Sequence, residues 1–185
     1  MTIEEYRKKL DALTAQYDSK AIDSVVVPAA SELLATIKNR IVLDGKKSNN
    51  SSIGKYSTRP AYFGPEDYMK GGFTPKGKTG ESEFKNGKPH KTEYFPTGYD
   101  GLRDKQGLRT DIMNLSYHGS TLLAYQMQPK NESVVIGLTT QDAANIRKWQ
   151  ELKRGAIFSA TDEEIKDYTD NVRKESERVT RALLK

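Results

Sequence analysis

Apolar residues at Ile3, Tyr6, Leu10, Leu13 and Tyr17 fall three and four positions apart and mark one stripe of a helix over residues 3–17. Thr2-Ile3-Glu4-Glu5 ahead of it is a capping box: a hydroxyl accepts from the third helical N–H, and the glutamate reaches back. Leu33, Leu34, Ile37 and Ile41 repeat the spacing in a second helix that ends near Asp44-Gly45. Proline is tolerated in a first helical turn and breaks an interior one, so Val25-Val26-Val27-Pro28 predicts a helix starting near Pro28, or a kinked one starting near Asp23. The rhythm is then lost from residue 45 to 110, where Gly, Pro, Ser, Asn, Lys and Tyr dominate. Lys46–Ser52 has the composition of a flexible loop tip, and short extended pieces are expected at Arg59–Phe63 and Lys91–Phe95.

The stretch from Gly98 to Leu138 organises the rest. Thr121–Gln128 and Ser133–Leu138 are strand-forming runs, the second with β-branched Val134, Val135 and Ile136. Pro129, Lys130, Asn131 and Glu132 form the turn between them, which predicts a β-hairpin on which the other elements pack. Thr139 or Thr140 caps a following helix to about Lys153, with Gly155 just past its end. Ile146, Trp149 and Leu152 lie on that helix and are expected in the core. Thr161-Asp162-Glu163-Glu164 is another capping box, opening a last helix with Ile165, Tyr168, Val172 and Val179 on one face.

These elements predict a single α+β domain over residues 1–185: an antiparallel sheet with a hairpin core, covered by N- and C-terminal helices, with 45–110 as a long loop or arm. A structureless loop of that length is uncommon inside a compact domain, so the arm is expected to become ordered against a neighbour.

Composition sharpens this. Hydrophobic residues make up 35% of the 185, so the core is modest and much of the chain must be exposed or covered by partners. Cysteine is absent, which removes disulfides and thiolate metal sites. No apolar run approaches the roughly 18 residues of a membrane span, and MTIEEYRKKL lacks the apolar centre of a signal peptide, so a cytosolic product without membrane contact is expected. The net charge of +5 comes from interspersed signs, a slightly basic solvated surface.

Catalytic motifs find little support. Gly72–Thr79 (GFTPKGKT) fits the P-loop expression, but no buried strand precedes it, and the glycines and proline of GESEFKNGKPHK oppose the helix that must follow. His90 and His118 have no second histidine at ligand spacing. No GxSxG elbow occurs, and no cofactor is expected. Among the 10 tyrosines, Tyr56, Tyr62, Tyr68, Tyr94 and Tyr99 are interleaved with Lys and Arg. That pattern suits a protein interface, where a ring buries area and its hydroxyl finds a partner. The alternative is a nucleic-acid-binding module that stacks bases on these rings in the basic 45–110 region.

In order and spacing the chain resembles the virion morphogenesis and tail-completion proteins of tailed bacteriophages. The likeness is carried by Lys38-Asn39-Arg40-Ile41 as a basic turn after the N-terminal helices, and by Ser51-Ser52-Ile53-Gly54-Lys55-Tyr56-Ser57. Gly101–Asp111 (GLRDKQGLRTD) and Leu115–Gly119 follow, then Val134–Thr139 (VVIGLT), a polar helix and Gly155-Ala156-Ile157-Phe158. The resemblance implies a structural protein and not an enzyme: a homo-oligomeric ring at the head–tail junction of the virion, assembled in the host cytoplasm, either a neck ring or a tail-completion ring. Its implied partners are portal or adaptor and tail proteins, with non-specific contact to DNA in the channel. The motif and interface positions it points to are Gly54, Tyr56, Arg103, Gly107, Arg109, Leu115 and Gly119.

Overall fold

A computed structural model describes residues 3–69, 72–115, 120–130 and 133–183. Within helices, the side chains at 6, 9, 13, 16–20, 22, 120 and 183 are also outside the description. The Thr2 cap, the stripe side chains Tyr6, Leu13 and Tyr17, the turn residues Asn131 and Glu132, and both His118 and Gly119 therefore lie outside the described residues or side chains.

The fold is α+β, with helices and antiparallel sheets. Helix α1 (Ile3–Ala21) runs through a π turn (Ile22–Val26) directly into α2 (Val27–Val42). The expected break is thus replaced by a continuous helix. Pro28 sits in the first turn of α2, and the wider π turn before it accommodates the missing N–H. Ile3 and Leu10 of the α1 stripe are exposed, whereas Ile37 and Ile41 of α2 are fully buried. Lys38–Ile41 is not a basic turn but the penultimate stretch of α2.

The hairpin forms, one helical turn later than expected. Thr121–Ala124 belongs to a short helix, α4 (Ser120–Ala124), after which β4 (Tyr125–Lys130) pairs antiparallel with β5 (Ser133–Leu138). Pro129 and Lys130, expected in the turn, pair with Val134 and Ser133. Proline is tolerated there because this sheet has two strands, each of them an edge. Tyr125, Ile136 and Leu138 pack with Ile37, Ile41, Ile157 and Phe158 in the main core.

The region 45–110 is more regular than its composition suggests. It contains β1 (Ala61–Phe63), β2 (Thr79–Glu83) and β3 (Pro89–Phe95), in a sheet of order β1-β3-β2, followed by α3 (Gly98–Lys105). It carries its own small core of Tyr68, Phe95 and Leu102, joined to the main core through Tyr99, which packs on both. Where the sequence reading has a neighbour order this segment, residues of the same chain pack against it here. Aromatic rings supply the apolar area that aliphatic residues do not: Phe63 and Phe95 lie 5.8 Å apart, and Tyr68 and Phe73 5.1 Å apart. The tip at Lys46–Ser52 is also held, by a Lys46–Ser52 bridge and by Ser48, whose N–H and hydroxyl both donate to the Ala156 carbonyl.

The last helices are α5 (Gln141–Arg154) and α6 (Asp162–Leu183). Both caps are as expected: the Thr140 hydroxyl accepts from the Ala143 N–H, and Thr161 and Glu164 bond reciprocally at 3.0 and 2.7 Å. Val179 is buried on α6, but Ile165, expected on the same face, is exposed.

Candidate assembly surface

The positions singled out from sequence divide into an internal cluster and scattered backbone features. Arg103 is only 1% exposed. Its guanidinium lies 4.1 Å from the centre of the Tyr56 ring, its Nε donates to the Arg109 carbonyl at 2.9 Å, and a terminal nitrogen donates to Asn114 Oδ1 at 3.3 Å. The Tyr56 hydroxyl donates to the same Asn114 oxygen at 3.0 Å and accepts from the Asn114 N–H at 3.2 Å. Among the described residues no carboxylate pairs with Arg103, so the aromatic face and the carbonyls compensate its charge. Leu115 follows with a φ of 54°, unusual for a residue with a side chain, and packs against the main core. Gly107, at φ 67°, ends α3, where the Leu108 N–H returns to the Arg103 carbonyl.

Arg109 is exposed, donates to the Leu43 carbonyl and pairs with Asp111 at 2.7 Å. The Arg109–Asp111 hydrogen bond raises the arginine's pKa and lowers the aspartate's. Gly54, at φ 130°, leaves room for Arg154, which donates to the Ile53 carbonyl. Among the described positions these residues tie segments of one subunit together, and only Gly107 and Arg109 are exposed.

A buried ion pair and a part-buried one also tie segments of the subunit together. Arg40 Nε donates to Glu164 Oε1 at 2.8 Å, and its other nitrogens reach the carbonyls of Lys46, Ile157 and Ser159. Glu93 on β3 receives Lys105, the Tyr68 hydroxyl and the Lys76 N–H. Burial pushes the Glu93 pKa up, but these bonds outweigh it and hold the carboxyl below the ordinary range. The P-loop-like stretch ends in this cluster. Thr79 opens strand β2 and not a helix, and the Lys76 N–H is committed to Glu93, so the phosphate cradle is missing. His90 is enclosed, its ring 4.1 Å from Phe84, and its Nδ1 has no partner among the described residues. Among the described residues no group of three His, Asp or Glu could hold a metal, and no helix is long and apolar enough to cross a membrane.

The surface feature lies on α5, where the expected core residues point outward. Trp149 is 63% exposed, Leu152 76% and Ile146 43%. The inward face is polar instead. Glu151 accepts from the Ile157 and Phe158 N–H groups at 2.9 and 3.1 Å and from Arg147 at 2.8 Å. Arg154 donates to Gln150 and to the Ile53 carbonyl, and Ala143 is the buried apolar contact. Burial raises the Glu151 pKa, and the Arg147 and backbone bonds more than reverse this, so the carboxyl is held low. The helix is inverted because the loop at 155–161 has N–H groups to satisfy and Glu151 satisfies them. Leu123, on the α4 helix that α5 packs against, is exposed as well.

No protein family, curated protein or solved structure matches the chain.

Proposed function

We propose that the chain is a structural assembly subunit that forms a homo-oligomeric ring at the head–tail junction of a tailed-phage virion, as a neck or tail-completion ring between portal or adaptor and tail. The observation that carries the self-association is the outward row Ile146, Trp149 and Leu152 on α5. Fully burying an exposed side chain of this kind contributes about 1.5–3 kcal/mol before the costs of association, and these three, already partly covered, contribute correspondingly less. The position in a virion is supported by the motif order of the chain.

The nucleic-acid reading keeps only part of its stacking platform: Tyr56 and Tyr68 are buried and Tyr99 packs between the two cores, while Tyr62 is exposed beside Tyr94, 5.1 Å away. The test is imaging of virions that carry the protein, with antibody-labelled or tagged copies. Label at the neck is the expected result; label on the capsid surface, or none in the particle, contradicts the reading.

A further inference from the structure

We infer that the α5 row of one copy seats in the groove between α2 and α6 of the next copy. This rests on the ring-assembly reading and assigns its two faces. The groove has a volume of about 280 Å³, just below the roughly 300–1,000 Å³ of small-molecule pockets, a size suited to side chains. Ala29, Leu33 and Tyr168 give it an apolar part, and Glu32, Asp167 and Asp170 make it acidic. Asp170 pairs with Arg173 and Glu32 accepts from Asn171, while Asp167 makes no ion pair among the described residues. Lys174 is the one cation in the lining.

On α5 the complementary pattern occurs. Lys148 and Lys153 flank Trp149 and Leu152, are exposed, and have no ion pair among the described residues. An apolar knob between cations thus faces a largely polar, acidic groove whose apolar part is Ala29, Leu33 and Tyr168. Opposite charges fix the register of such a contact, and the apolar residues supply its affinity. Knob and groove sit on different elements, so the contact is heterologous: each subunit offers one face to the copy ahead and the other to the copy behind. Repeated, such contacts close into a ring where the rotation between neighbours divides a full turn with no rise, and run on as an open filament otherwise.

The absence of native cysteine permits an unambiguous test. The double variant Thr36→Cys/Leu152→Cys places one thiol in the groove and one on the row; a short bis-maleimide reagent is added to the assembled protein. The expected product is a ladder of covalent oligomers extending past the dimer, with neither single variant giving more than traces. Dimers from Leu152→Cys alone would show row-to-row packing and overturn the assignment.

A charge exchange provides the second arm. Lys148→Glu/Lys153→Glu should weaken assembly about tenfold or more, as should Glu32→Lys/Asp167→Lys, and mixing the two variant proteins should restore heterologous contacts. If the unmodified protein assembles while both pairs of variants assemble equally well and no ladder forms, the row and groove are not the interface, although the ring reading stands. If the unmodified protein stays monomeric, the ring reading fails first. Saturable binding of a small molecule in the groove without effect on assembly would also contradict the inference.

Discussion

At the scale of single residues, stability rests on a few buried polar groups and tight backbone approaches. Arg40 and Glu164 are both enclosed, and each satisfies groups beyond the other. Glu164→Ala should cost about 3–5 kcal/mol, because it strands a buried cation and removes the α6 cap. Arg40→Met/Glu164→Leu should recover a large part of the loss in urea denaturation; a double variant as unstable as the single one would mean that the pair itself holds the fold. Gly98 has a φ of 58°, and a β-carbon there would overlap the Arg59 carbonyl. Gly98→Ala should therefore destabilise by at least about 2 kcal/mol, checked by the same denaturation.

Protonation acts at the same scale. Glu93 and Glu151 are held below their ordinary value by cationic and N–H donors. Their stabilisation is fully present above the ordinary glutamate pKa of 4.5 and is lost as pH falls through their lowered folded-state values. The denaturation midpoint of the unmodified protein should drop through this acid range, and Glu93→Gln should show a shallower drop from a lower starting point. An equal slope in both would rule out Glu93 as a source of the acid sensitivity.

At the scale of elements, α5 is the informative one. Its row is solvated, so Trp149→Ser should change the stability of the monomer by no more than about 0.5 kcal/mol while removing most of the assembly. A large loss of monomer stability would instead place Trp149 inside the subunit. This helix also shows what was legible in the sequence. Its start at Thr140, its end at Gly155 and the capping box at Thr161 could be read directly, because caps are local chemistry. Which face turned inward could not. Arg147, Gln150, Glu151 and Arg154 share a helical spacing just as Ile146, Trp149 and Leu152 do, and only the N–H groups of Ile157 and Phe158, folded back from beyond the helix, decide between them. Strands β1 and β3 were legible as short extended pieces and β2 was not, and their pairing spans long loops and a core of rings that no periodicity announces. Arg103 and Tyr56 were singled out for a surface and proved to be internal, held by Asn114, which no motif marked.

At the scale of the whole molecule, the modest apolar content is accounted for differently from the initial expectation. The middle of the chain packs an aromatic core of its own, although Tyr62 and Met69 there are exposed, and three exposed apolar side chains form a row on α5, with Leu43, Leu123, Val135, Ile165 and the α1 residues Ile3 and Leu10 also exposed. The α5 row is the contiguous surface on which a partner is expected. Trp149 is the only tryptophan, so its emission reports on this surface alone. The most direct measurement is sedimentation velocity of the isolated chain from micromolar to hundred-micromolar concentration, with Trp149 emission followed on the same samples. A rise from monomer to a closed oligomer, with the emission shifting to the blue in step, is the predicted result; a monomer with solvent-exposed emission throughout would contradict self-assembly through α5.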